Sequence, residues 1–307
     1  MDESFENEIG SVENSDQQLL RLAAASGVYA RGKRILGIQV SLTVLGGFLS
    51  SATLGWFPQL KVWAAFYSFA VALLEALVLE PHQSELRKRG ARIQELFDCE
   101  VLRLPWRNLV AGEQPTPEDV TEEGAKYERK HSDFSNLKDW YSPAVSRISL
   151  PLARLVCQRT NAWWDLSLRR RYSACLKIIL GILVIFVFAL AIHRGMTIEV
   201  FVLAVVAPLT PAILWGVREI RKHSVAASDL HRLQDYIEKQ WQAALKGTIA
   251  GDTLLQASAS IQDEMFHFRS KNPFVFNWVY RLLRSQRQDT MHRVADQLVN
   301  EALHKGR

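Results

Sequence analysis

Cysteine is scarce in this chain and never paired in spacing. Cys99, Cys157 and Cys175 are the three thiols, with no C-x-x-C step among them. That excludes a disulfide framework and a structural zinc site, and it fits a reducing compartment. The sequence has no G-x-x-x-x-G-K-[ST] loop, no G-x-S-x-G elbow and no H-E-x-x-H helix, so nothing marks a P-loop nucleotidase, a serine hydrolase or a zinc protease. Lys and Arg are missing from the first twenty residues, which carry Asp2, Glu3, Glu6, Glu8, Glu13 and Asp16. A secretory signal begins basic and then turns apolar, so this is not one. The acidic start reads as solvated and partly disordered, within an N-terminal tail over residues 1–30.

What the chain does have is apolar sequence gathered into blocks. The mean hydropathy of −0.03 hides four stretches, 35–57, 62–79, 172–192 and 198–217. About 20 apolar residues span a bilayer as a helix, and helices of soluble cores seldom run so long without a polar face. Basic residues flank each block: Arg31, Lys33 and Arg34 before the first, Arg87, Lys88 and Arg89 after the second, Arg169, Arg170 and Arg171 before the third, Arg218, Arg221 and Lys222 after the fourth. The two short connections hold only Lys61 and Arg194. The positive-inside rule then places both termini and the long middle segment in the cytoplasm. The expected fold is an all-α membrane protein. A transmembrane hairpin over 31–80 is followed by a cytoplasmic helical segment over 81–171, a second hairpin over 172–217 and a cytoplasmic segment over 218–307. The middle and C-terminal segments together form a helical cytoplasmic domain.

Inside the spans, Gly47, Ser51 and Gly55 recur every fourth residue, which puts three small side chains on one face for close helix packing. Pro208 and Pro211 predict a kink in the fourth span, either a gate hinge or a passive feature. Glu75 lies about one turn from the inner end of the second span. It is placed to line a water path, to meet a neighbouring helix or to reach the interface.

The cytoplasmic segments carry helical periodicity. The second and fourth spans are expected to run on into the cytoplasm as stalks, along Leu86, Ile93 and Phe97 and along Leu230, Leu233, Ile237 and Trp241. A polar helix is expected from Thr116 with Pro117 in its first turn, and Lys271-Asn272-Pro273 should break another. A helix from Leu150 into the third span bears a polar stripe of Arg154, Gln158, Asn161, Asp165 and Arg169. Beyond the break come Phe274, Phe276, Trp278 and Tyr280, then Arg281, Arg284 and Arg287. Arginine forks suit phosphates and aromatic faces suit bases, although an amphipathic helix with a solvated basic face has the same composition. Glu264/His267 and Asp289/His292 mimic the paired steps of a di-iron bundle. The two further inward carboxylates such a site needs are not evident.

Several landmarks then carry a resemblance: Phe97-Asp-Cys-Glu-Val-Leu-Arg-Leu-Pro-Trp106, Asp139-Trp-Tyr141, Cys157-Gln-Arg-Thr-Asn161, Trp164-Asp165, Leu168-Arg-Arg-Arg-Tyr172, Ile261-Gln262, Phe268-Arg269 and Trp278-Val-Tyr280. In order and spacing, from about residue 20 to 300, the chain resembles the SMODS-associated four-transmembrane effectors of bacterial anti-phage signalling. The resemblance implies a multi-pass protein of the bacterial inner membrane, not an enzyme, without metal or resident cofactor. Its activating ligand would be a cyclic di- or oligonucleotide made by a partner nucleotidyltransferase, with no direct contact to DNA or RNA. Binding would drive homo-oligomerisation and a breach of the bilayer that aborts infection. The chemistry of the residues nominates Arg159, Asn161, Trp164 and Arg169, and next Arg269, Trp278, Tyr280 and Arg281, as ligand contacts. A passive scaffold that docks a cytosolic partner, or a helical metal enzyme, are the alternatives.

Overall fold

The computed structural model describes residues 7–131 and 133–305, with the side chains of 51, 52, 54–56, 58, 61 and 281–286 outside the description. Among the described residues the secondary structure is helical, with no strand. A short α1 (Ile9–Glu13) precedes α2 (16–56), which runs through Asp16–Val40, a π turn at Ser41–Leu45 and Gly46–Trp56. Helix α3 (61–101) returns through Lys61–Leu74, a π turn at Glu75–Leu79 and Glu80–Val101. After α4 (Asn108–Ala111) and α5 (Pro117–Glu128) comes α6 (Leu150–His193), which pairs with α7 (Ile198–Leu245). Helices α8 (Gly251–Lys271) and α9 (Asn277–Lys305) complete the chain.

Local chemistry sets these ends. Thr116 caps α5 by accepting the Asp119 N–H at 3.2 Å, with Pro117 in the first turn, where its missing N–H costs nothing. Helix α8 stops at Lys271, one residue short of the Asn272 that Pro273 forces out of helical geometry. Gly195, at φ 58°, turns α6 into α7.

Among the described residues three helices are long and apolar enough to cross a membrane: Val62–Val101, Leu150–His193 and Ile198–Leu245. Their apolar windows are exposed in the single chain over most of their length, as surface meant for lipid or for other helices must be. All three continue as helix far beyond the apolar part, and α2 extends the 35–57 stretch in the same way.

A core outside the apolar stretches joins the helix pairs α2–α3 and α6–α7. Phe97 and Val101 of α3, Leu155 and Cys157 of α6, Ile237 and Trp241 of α7, Ile261 of α8 and Val299 of α9 form its centre. Helix α8 bridges the hairpins through polar contacts as well. Gln262 donates to Glu95 at 2.9 Å and to Asp98 at 3.1 Å, and Gln158 of α6 donates to the Ser258 carbonyl at 2.8 Å.

Two expectations are corrected. Residues from 9 onward are not a solvated tail: Ile9, Glu13, Gln18 and Leu19 are buried. Asn7 anchors the start by donating to the Val145 and Ile148 carbonyls at 2.6 and 2.8 Å. The polar stripe of α6 faces the core, with Arg154, Gln158, Asn161 and Arg169 all buried. Arg154 donates to the Leu102 and Arg103 carbonyls at 2.6 and 2.8 Å and so ties α6 to the turn that follows α3. Arg169 does not stop the third span at the headgroups; only Arg170 and Arg171 of that run are exposed.

Candidate functional site

A cavity of about 450 Å³ opens in the helical core outside the apolar stretches, between α2, α3, α6, α8 and the start of α9. That volume lies within the roughly 300–1,000 Å³ of small-molecule sites. Five of the nominated side chains meet there: Asn161, Trp164 and Arg169 from α6, Arg269 from α8 and Tyr280 from α9. The two sets lie about a hundred residues apart in sequence, and tertiary packing brings them to one wall.

Phasing along each helix decides who takes part. Arg159 stands two residues before Asn161, about 200° round the helix. It leaves the cavity and pairs with Glu238 of α7 at 3.1 Å. Trp278 stands two residues before Tyr280 and is 56% exposed, away from the cavity. The Arg281 side chain lies outside the described residues.

The walls are aromatic. Trp164 meets Trp140 edge-on at 5.3 Å and Tyr280 edge-on at 5.7 Å. Tyr29 meets Phe274 edge-on at 6.3 Å. The Phe274 ring lies against the backbone of Gly32, where a Cβ would occupy the space of the ring. Tyr29, Trp140, Phe268 and Phe274 were not nominated from sequence. Three of them had a visible signal: Trp140 in Asp139-Trp-Tyr141, Phe268 in Phe268-Arg269 and Phe274 in the aromatic run after the break.

Cations in the cavity differ in how far they are committed. Arg269 is paired with Asp98 and lies 3.9 Å from Glu95. The same Asp98 accepts from Tyr141 at 3.2 Å; Asn161 donates to the Tyr141 hydroxyl at 2.9 Å and accepts the Trp140 indole N–H at 2.8 Å. Burial, with Asp98 nearby, raises the Glu95 carboxyl to about 7. Arg169 pairs with Asp165 at 3.0 Å and donates to the Pro273 carbonyl at 3.1 Å. Its other neighbour is His223, 3.3 Å away, which burial holds below the usual imidazole range.

Lys33 is different. It lines the cavity from α2, donates to the Asn277 side chain at 2.8 Å and sits 5.4 Å from the centre of the Tyr280 ring. Among the described residues it has no carboxylate partner within ion-pair reach, and burial lowers its ammonium to about 8. In sequence it passed for one more topogenic residue of the first basic flank.

The membrane residues nominated from sequence gather elsewhere. A Cβ on Gly47 would stand 3.0 Å from the Pro208 carbonyl of α7, so α2 at Gly47 packs closely on the proline segment of the same chain. The surroundings of Ser51 and Gly55 lie outside the description. Pro211 sits within helix α7, and the irregularity near the prolines is a π turn at Val202–Val206. The Thr210 hydroxyl donates to the Val206 carbonyl at 2.8 Å. Glu75 opens the π turn of α3, half-buried, and has no ion-pair partner among the described residues. In α2, the Leu42 carbonyl within the π turn accepts the Tyr67 hydroxyl of α3 at 2.7 Å. Of the two metal-like steps, Glu264 and His267 are exposed on α8 and His292 lies 3.3 Å from the Trp140 carbonyl. Among the described residues no three potential metal ligands gather.

Residues 7–298 match the SMODS-associating 4TM effector domain. The chain belongs to that family. With three helices able to cross a bilayer and a 4TM domain over nearly its whole length, it is a helical membrane protein. A relative from Bacillus cereus (strain VD146), named a probable CBASS effector molecule, is 23% identical over 292 residues, covering 90% of this chain and 93% of that one. No solved structure matches.

Proposed function

We propose that the chain is a CBASS effector of the bacterial inner membrane with four spans and both termini in the cytoplasm. It takes a cyclic di- or oligonucleotide, made by a partner nucleotidyltransferase, into the aromatic cavity. It then assembles with further copies and permeabilises the bilayer, so that the infected cell stops before phage matures. Family membership and the relative's name point to a CBASS effector in anti-phage defence.

The observation that carries the ligand step is the convergence of Trp140, Trp164 and Tyr280 with Lys33, Arg169 and Arg269 around one space. Bases stack on aromatic faces with little regard to sequence, and phosphates seek cations. Lys33 is the phosphate contact that needs no prior ion pair to open. Arg169 contributes once Asp165 yields, and Arg269 is a positioning residue that holds the Asp98–Tyr141–Asn161–Trp140 chain in place.

The test is dye release from anionic liposomes holding the full chain, challenged with a panel of cyclic nucleotides. One of them should trigger release. Trp164→Ala should raise the concentration needed at least about fivefold, since one lost base stack is worth about 1–3 kcal/mol. Release indifferent to every cyclic nucleotide overturns the proposal and leaves the scaffold reading.

A further inference from the structure

Two of the four basic flanks meet in a second space. A groove of about 430 Å³ lies between α3 and α7, closed at one end by the α8–α9 link. Arg87 comes from the flank after the second span, Arg218, Arg221 and Lys222 from the flank after the fourth, and Lys271 from the end of α8. Glu80 and Asp229 are the acidic lining residues. Glu80 is taken up by Arg87 at 3.5 Å and Lys222 at 3.9 Å, and Asp229 by Arg232 at 2.5 Å. Among the described residues Arg218, Arg221 and Lys271 have no carboxylate partner. The groove therefore carries uncompensated positive charge.

It also holds unmet hydrogen-bond donors. Arg87 is 8% exposed, its guanidinium lies 5.5 Å from the centre of the Phe274 ring, and its buried Nε has no partner. The Asn272 amide nitrogen, on the same wall, is also buried and unpartnered. Buried donors without acceptors are rare in folded proteins and mark a missing group. Several converging donors with surplus positive charge suit a phosphate, which has multiple acceptor oxygens.

Position names the source of that phosphate. Glu80 directly follows the apolar 62–79 stretch and Arg218 directly follows 198–217. The groove thus sits where hydrocarbon gives way to headgroups, the level at which basic side chains meet anionic lipid. We infer that this groove binds a phosphate group, and that its occupant is the headgroup of an anionic phospholipid. Asn272 and Pro273 line both this groove and the aromatic cavity, so the headgroup would brace the wall that the two spaces share.

The test uses the full chain in neutral detergent, with thermal unfolding read against short-chain phosphatidylglycerol, phosphatidylcholine of the same chain length, or inorganic phosphate. Phosphatidylglycerol should raise the unfolding midpoint, and the other two should do little at equal concentration. The variant Arg221→Ala/Lys271→Ala removes two side chains with no ion pair among the described residues, so its lipid-free midpoint should match the parent. Its half-saturating phosphatidylglycerol concentration should rise about tenfold. Trp164→Ala, on the cavity side, should keep the parental lipid response, which separates this site from the nucleotide cavity. Equal phosphatidylglycerol responses in the parent and double variant, or no response in either, overturn the inference. An inorganic-phosphate response as large as the lipid response overturns the lipid assignment in favour of a free phosphate.

Discussion

Lys33 gives the proposed cavity a pH signature whose sign separates binding from folding. Its ammonium is held near 8 by burial, against an ordinary value of 10.5. It is then about 90% charged at pH 7 and about 10% charged at pH 9. A phosphate that needs the charged form should bind about tenfold more weakly at pH 9 than at pH 7. The fold responds the other way. The folded chain binds fewer protons than the unfolded chain between about 8 and 10.5, so the Lys33 contribution to stability rises with pH through that window. Lost affinity at pH 9 therefore cannot be blamed on Lys33 weakening the fold. The assay is equilibrium binding of whichever cyclic nucleotide stabilises the purified chain most, at half-unit steps from pH 7 to 9. Lys33→Arg should bind at pH 7 and lose the slope, and Lys33→Gln should bind weakly throughout. A parental affinity that stays level from pH 7 to 9 would refute the assignment of Lys33 as a phosphate contact.

Glu13 is buried and accepts the Tyr141 N–H at 3.2 Å, and burial, with Asp139 nearby, raises its carboxyl from 4.5 to about 8. Its stabilising contribution is full below pH 4.5 and is lost as pH rises towards 8. The advantage of Glu13→Gln in denaturant unfolding should accordingly widen by about 1.4 kcal/mol per pH unit across that window; parallel profiles would show the group ionised in the fold. Tyr67→Phe deletes the hydroxyl that reaches the Leu42 carbonyl and should cost about 1 kcal/mol in a detergent unfolding titration. Replacing exposed Ala174 and Cys175 by glycine softens α6 between cavity and membrane. Ligand affinity should stay within about twofold of the parent while ligand-triggered dye release falls, and unchanged release would argue against α6 as the transmitting element.

Helix positions were legible because long apolar runs, Thr116-Pro117 and Asn272-Pro273 each act locally. The N-terminal segment was misread because counting Asp and Glu ignores their spacing. Ile9, Leu19, Ala23 and Val28 supply a buried face among the acids, and Glu13 itself is buried. The Arg169 run was misread for a related reason. The positive-inside rule counts cations near a span without asking which helical face they occupy, and Arg169 turns inward where Arg170 and Arg171 do not. Residue chemistry nominated both halves of the cavity wall, but their meeting depends on packing between segments about a hundred residues apart. Lys33 and Tyr29 gave no separate signal, since an Arg-x-Lys-Arg flank before an apolar run already has a sufficient topological explanation.

The cavity and the membrane are parts of the same helices. Tyr29 and Lys33 stand on α2 just before its apolar stretch, and Trp164 and Arg169 stand on α6 just before its own. From Trp164 to Ile178 the rise is about 21 Å along one helix. Helices α2, α3 and α7 each carry a π turn within or beside their apolar stretch, whereas α6 runs from Leu150 to His193 without one. A π turn is a place where a helix absorbs displacement; an uninterrupted helix passes displacement on. A ligand drawing Trp164 towards Lys33 would thus act on α6 as a lever, with α2 able to yield at Ser41–Leu45. Leverage alone shifts no equilibrium. The ligand must bind the displaced arrangement more tightly than the resting one, and about 10⁴-fold discrimination would carry a population from 1% to 99%. Committed arginines supply a source of that difference: a phosphate that separates Arg169 from Asp165 also loosens its hold on the Pro273 carbonyl, in the wall shared with the membrane-side groove.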